Sequence, residues 1–351
     1  MSTYERVAGL PLVVEGYILE VLSLRMSEEF TRLTTVVHLQ GGGHEGVGED
    51  VTYDADEHTA QADAGPVLPL AGSFTLDGFS QHLETLDLFP STTPEFPAFR
   101  DYRRWAFESA ALDLALRQAD TNLANALGIT PRRVTFVVST RLDEPADASR
   151  VTRWLDRDPS LRFKLDPTDS WSQALIDELR ELDAVRTIDL KGCYTGTIVD
   201  GSYDPALYRR LIAGLPEAWI EDPRLSPEIR PELAGHEDRV TWDAPIHSVD
   251  DILALDWPPR MINMKPSRFG ALSRLFAAYD HLAANGIGAY GGGQTELGPG
   301  RGHIQYLASL FHAGSPNDVA PSGYNDPSPP PTLPGSPLAV AISPTGFRWG
   351  E

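Results

Sequence analysis

Six short apolar runs in the second half of this 351-residue chain end on residues that can do chemistry. LRFKLDP carries Arg162 and Lys164, TIDLKG carries Asp189 and Lys191, and WIEDP carries Glu221. VTWDAP carries Asp243, INMKPS carries Lys265, and YGGGQTE carries Gln294 and Glu296. From Lys164 the successive spacings to Asp189, Glu221, Asp243, Lys265 and Glu296 are 25, 32, 22, 22 and 31 residues. Asp189, Glu221 and Asp243 offer hard oxygen ligands, which suit Mg²⁺. No His or Cys takes an equivalent place, which argues against zinc. Clustered without a cation, three carboxylates would repel and at least one would stay protonated. Lys164 and Lys265 are candidate bases, and for that role a lysine must fall from about 10.4 towards ~7–8.

One strand, loop, helix and loop take about that many residues, so the elements that position these groups are strand–helix units. The apolar runs are 134–140, 161–165, 187–190, 218–220, 240–242, 261–264 and 286–290. Between them lie helix-like stretches at 170–182, 205–215, 248–255, 267–285 and 301–312. Such alternation predicts a parallel sheet with right-handed crossovers. An open doubly wound sheet fits it too. Six charged strand ends would converge only in a closed sheet, where the C-terminal mouth collects them. Side chains at i and i−2 share a strand face, which places Arg162 with Lys164, Thr241 with Asp243 and Asn263 with Lys265.

Before residue 131 the pattern differs. Tyr17–Leu24 and Thr31–Gln40 read as strands, Gly41–Gly43 as a turn and Val47–Val51 as a third strand. Asp101–Gly128 reads as helix, split near Asp120-Thr121. The expected fold is therefore α/β: a (β/α)7–8 TIM-like barrel over residues 131–337 with an α+β capping domain over residues 1–130. Asp326–Pro337 carries six prolines and reads as an extended connector. The apolar Leu338–Glu351 is expected to return to the capping domain.

Fifty acidic residues against 29 basic ones give a net charge of −21. That opposes a phosphate-binding surface for nucleic acid and adhesion to anionic membranes. A single cysteine, Cys193, excludes an internal disulfide framework and reads as a small packing residue. No run is long and apolar enough to span a membrane, and the start lacks a signal-peptide pattern, so a cytoplasmic protein is expected. The sequence is compatible with a homo-oligomer and leaves the oligomeric state open.

Nearly the whole chain resembles the enolase superfamily, in its muconate-lactonizing (cycloisomerase) subgroup within the mandelate racemase/muconate lactonizing group. RFK at Arg162–Lys164 is similar to the K-x-K of that family's second barrel strand, with Arg162 in place of the first lysine. Asp189, Glu221 and Asp243 match the metal-binding acids of the next three strands, and WIEDP is close to the fourth-strand motif. MKPSRFG at Met264–Gly270 fits the sixth-strand lysine motif, and Glu296 matches the acidic position of the seventh. The resemblance implies Mg²⁺ as cofactor, a small carboxylate substrate, and proton abstraction α to that carboxylate through an enediolate. The outcome would be racemisation or epimerisation, cycloisomerisation, or syn elimination. Two residues depart from the pattern: Lys191 stands where the family has Asn, and Ala244 where it has Glu.

Other readings stay open. A Schiff-base aldolase would use Lys164 or Lys265 as nucleophile. A carboxylate-binding homologue that lost the chemistry would account for Lys191 and Ala244. Arg162, Lys191 and Glu296 fit either substrate support or salt bridges at the barrel mouth. Phe30 and Tyr53, on loops after capping-domain strands, fit either specificity or packing.

Overall fold

The computed structural model describes residues 1–197 and 199–350. In the N-terminal part, strands β1 (Pro11–Val14), β2 (Gly16–Arg25), β3 (Thr31–Gly41), β4 (His44–Asp50) and β5 (Gly72–Thr75) form two antiparallel sheets, β2-β3-β4 and β1-β5. The β-branched run Thr34–Val37 suits the centre of β3, and a tight Gly42-Gly43 turn joins it to β4. A 21-residue helix, Ala98–Gln118, packs on β4. The approach is so close that a Cβ on Gly46 would lie 2.2 Å from the Ala110 carbonyl oxygen, and one on Gly48 1.9 Å from that of Ala106. Glycine is required at both places.

The helix starts three residues before the predicted position and breaks at Asp120, with a second helix at Leu123–Leu127. The sequence pattern did not reveal β1, β5 or the helices Ala55–Ala64 and Leu76–Glu84. The two strands are too short to show a period, and Ala55–Ala64 has only a weak apolar stripe.

The second part holds seven parallel strands in sequential order: β6 (Val138–Thr140), β7 (Phe163–Leu165), β8 (Val185–Asp189), β9 (Trp219–Glu221), β10 (Val240–Trp242), β11 (Met261–Met264) and β12 (Gly288–Gly291). The sheet is curled. Asn317 bridges in parallel to Phe136 beside its first strand, and Asp318 to Gly292 beside its last. The Val137 N–H donates to the Asn317 carbonyl and the Asp318 N–H to the Gly291 carbonyl, both at 2.8 Å. Each predicted apolar run overlaps one strand. The stretch 267–285 is two helices, Pro266–Phe269 and Leu272–Asn285, separated at Gly270. An additional helix, Ser149–Arg157, follows β6.

Glu49 and Arg32 anchor two of the buried polar links between the parts. Glu49, at the end of β4, accepts from the amides of Leu297, Gly298 and Gly300 at the start of helix Pro299–Phe311. Arg32 of β3 donates to the carbonyls of Val51, Thr52 and Gln294. The C-terminal segment bridges Leu338 to Val134 and Gly346 to Asn122, and its Phe347 stacks on His303 with ring centres 4.3 Å apart. Glu351, the last residue of that segment, lies outside the described residues. Among the described residues no helix is long and apolar enough to cross a membrane.

Candidate active site

Parallel pairing sets the ends of β7 to β11 side by side, and their polar side chains meet there. Lys164 leaves the middle of β7, and Asp189 and Glu221 are the last residues of β8 and β9. Asp243 and Lys265 directly follow β10 and β11. All five are buried. The Lys164 ammonium lies 2.5 Å from Glu221 Oε1, 3.1 Å from Asp189 Oδ2 and 3.5 Å from an Asp318 oxygen. Lys191 Nζ lies 2.5 Å from the same Asp189 oxygen and 3.6 Å from Asp166. Asp243 Oδ2 is 2.8 Å from Lys265 Nζ and 3.3 Å from Arg268.

Burial works against each charge here, and its neighbours decide the outcome. Burial would raise Asp189, yet the ammoniums of Lys164 and Lys191 hold its carboxyl at about 2. Burial would raise Asp243 too, and Arg268 and Lys265 hold it well below the usual carboxylate range. Glu221 goes the other way: burial, with Asp189 and Asp243 close by, pushes it up to about 8 despite Lys164. Its Oε2 accepts a hydrogen bond from the Tyr290 hydroxyl at 2.5 Å. Burial should depress Lys164, but Asp189, Glu221 and Asp318 more than reverse this and leave it well above its ordinary value. Lys191 is raised in the same way, against burial, by Asp166 and Asp189. The expectation that Lys164 would be a base depressed towards neutrality therefore does not hold, because three acids surround it.

The acids do not form an open ligand set. Among the described residues, no three His, Cys, Asp or Glu side chains are grouped so that they could hold a metal ion. Ammonium groups already engage Asp189 Oδ2, Glu221 Oε1 and Asp243 Oδ2, while Asp243 Oδ1 alone is buried without a hydrogen-bond partner. The side chains as placed do not fit the Mg²⁺ that the resemblance implies. The physical reason is Lys191, whose charge satisfies Asp189 from within the chain.

Other predicted residues fall less evenly. Arg162 is not at the mouth; its guanidinium donates to the carbonyls of Pro159 and Leu161. Arg162 precedes Phe163, the first residue of β7, so the alternation that would have paired it with Lys164 does not reach it. Glu296 is buried and pairs with Arg301 at 3.0 Å. Tyr53 lines the cavity above the lysines, under the Arg32 guanidinium at 4.1 Å. Phe30 is exposed and is not among the lining residues, whereas Met26 of the same loop is. Cys193 is exposed rather than packed.

Several neighbours were not foreseen. Asp222 accepts from the amides of Asp243 and Ala244, and burial with Asp243 nearby pushes its carboxyl up to about 7. Arg268 is buried against Asp243 and Tyr194. Both follow directly from motifs visible in the chain, WIEDP and KPSR, in which attention falls on the neighbouring Glu221 and Lys265. Lys191, Asp222 and Thr295 all take positive φ, between 45° and 56°. Left-handed backbone at non-glycine residues is a strain that clusters at working sites.

Comparison with known proteins bears on the fold. An o-succinylbenzoate synthase from Geobacillus stearothermophilus is 26% identical over 335 residues, covering 89% of this chain and 85% of the relative. A structure described as an unknown member of the enolase superfamily, from Enterococcus faecalis V583, superposes with a TM-score of 0.61 at 18% identity, over 88% of this chain and 86% of its own. Muconate cycloisomerase from Pseudomonas fluorescens gives 0.61 at 18% identity, over 89% and 87%. The enolase-superfamily resemblance read from the sequence is thus found again in both sequence and fold. The family model described as domain of unknown function DUF8230 matches its N-terminal domain at residues 5–126 and its C-terminal domain at residues 130–326. The chain belongs to the DUF8230 family and is built on the fold of the enolase superfamily.

Proposed function

We propose that this protein is an enzyme that removes the proton α to a substrate carboxylate and returns it, or lets a further bond form or break. The observation that carries this reading is the placement of two buried lysines, Lys164 and Lys265, four strands apart in the sheet and both lining one cavity of about 840 Å³. Asn317 and Asp318, bridged to Phe136 and to Gly292, lie beside the two edge strands of the sheet. Lys265 is the group assigned to take the α-proton. Lys164 and Lys191 stay charged and face the negative charge that moves onto the substrate carboxylate as the enediolate forms. Fixed charges aimed at developing charge are the largest common source of catalysis. The family's Mg²⁺ role falls here to these ammoniums, and no step depends on a metal.

Incubation in D₂O with a panel of carboxylic acids, read by mass spectrometry, tests the proposal. Deuterium should enter the α-position of at least one acid. Absence of exchange across acid sugars, N-acyl amino acids and dipeptides would overturn it and favour a carboxylate-binding homologue.

A further inference from the structure

One segment, Arg141–Arg157 (RLDEPADASRVTRWLDR), contributes five residues to the cavity lining, and its charges are sorted by side. All four of its arginines, Arg141, Arg150, Arg153 and Arg157, line the cavity, and none of its four acids does. Three of them lie on helix Ser149–Arg157 at i, i+3 and i+7, one face of the helix. Two are held in place. Arg150 sits 2.6 Å from Asp143 and donates to the Thr140 hydroxyl, and Arg157 lies over the Trp154 ring at 5.1 Å. Trp154 in turn packs against Tyr324 at 4.9 Å. Arg153 lies 3.7 Å from Asp143, with 67% of its side chain exposed.

Around the whole cavity, eight cationic side chains face three acids among the described residues. Two of those acids, Asp166 and Asp318, are near Lys191 and Lys164 at the reaction end. Asp143, paired with Arg150 and near Arg153, offsets one charge at the arginine end, and the cavity lining there still carries more guanidiniums than carboxylates in a chain whose net charge is −21. A single carboxylate is served by one bidentate guanidinium, whereas a phosphate brings close to two negative charges and three acceptor oxygens.

We propose that this wall is a second anion subsite, and that the substrate is a carboxylic acid carrying a phosphate monoester at the end remote from the lysines. The subsite's affinity stands on the arginines alone; only the pairing of phosphate with an α-carbon acid rests on the proton-abstraction reading. Thr140, beside β7 in the sheet and bonded to Arg150, ties the subsite to the strand that bears Lys164. Phosphate capture at this end would fix the distance and orientation of the α-carbon below it.

Calorimetry at constant ionic strength, with inorganic phosphate and succinate as probes, tests the subsite without any turnover. The wild-type protein should bind phosphate saturably and at least tenfold more tightly than succinate. The R153Q/R157Q variant, altered only at exposed positions, should lose at least tenfold in phosphate affinity while keeping its unfolding temperature. No saturable phosphate binding, succinate binding as tight as phosphate, or unchanged affinity in the variant would each overturn the subsite. Phosphate binding combined with no deuterium exchange for any acid would instead refute the reaction and leave the subsite standing.

Discussion

The ammonium of Lys191 lies 2.5 Å from Oδ2 of Asp189, only two residues earlier in the chain, while the Lys191 amide donates to the other oxygen of the same carboxylate at 3.2 Å. A left-handed turn at Lys191, φ 53°, lets backbone and side chain clasp one acid together. Asp189 is thereby satisfied without any external cation.

Metal binding should follow that clasp. Titration of the wild-type protein with millimolar Mg²⁺ is expected to leave the unfolding temperature unchanged. Lys191→Asn, which frees Asp189, should make the protein responsive. A ligand at one hundred times its dissociation constant adds about 2.7 kcal/mol, a shift easily read by thermal unfolding. Saturable Mg²⁺ stabilisation of the wild type would show that the ammoniums yield to a metal.

The two lysines should separate kinetically. Lys265→Met removes the proposed base and should lower deuterium exchange by roughly 10²–10⁴-fold. Lys164→Met removes a fixed charge, and Lys164→Arg should recover part of the rate because guanidinium keeps the charge but cannot serve as a base. Equal recovery by Lys265→Arg would contradict the assignment of roles.

Below neutrality the folded state should weaken through His312. Its ring is buried between the Asn317 amide oxygen at 2.6 Å and the Tyr279 hydroxyl at 3.0 Å. Burial pulls it down to about 4, despite Asn317. An unfolded histidine titrates near ~6.5, so between these values the unfolded chain binds more protons than the folded one. Stability is full above pH ~6.5 and falls as the pH drops towards 4, by roughly 3 kcal/mol from this one group. Chemical denaturation across that range should show a shallower slope for His312→Gln than for the wild type.

Much of the site was legible because charged residues interrupt apolar runs at a regular period. Asp189 and Glu221 end their strands, Asp243 and Lys265 directly follow theirs, and Lys164 lies one residue before the end of β7. Arg162 was misplaced because β7 begins only at Phe163, and the two-residue alternation was carried one residue beyond the strand. The arginine wall was missed although Val151, Trp154 and Leu155 stand at i, i+3 and i+4 in helix Ser149–Arg157, because the reading followed charged strand ends and not charged helix faces. The four-residue β1 and β5 gain their stability from each other across 60 residues of chain, and no local pattern reports that.

Loss of Glu49 should loosen the join between the two parts. Glu49→Ala would strip the buried amides of Leu297, Gly298 and Gly300 of their acceptor. A buried donor left unsatisfied costs about 1–3 kcal/mol, so a drop of at least about 2 kcal/mol is expected in urea unfolding. Glu49→Gln keeps one acceptor oxygen and should lose less.

Strand β4 touches helix Ala98–Gln118 through bare main chain at Gly46 and Gly48, where not even a methyl group can enter. These two elements are consequently locked into a single casting, and neither can drift in sequence or position without the other. Room for substitution lies elsewhere, at the cavity lining that includes Met26, Tyr53 and the four arginines. Retargeting this scaffold in the laboratory should begin at that lining.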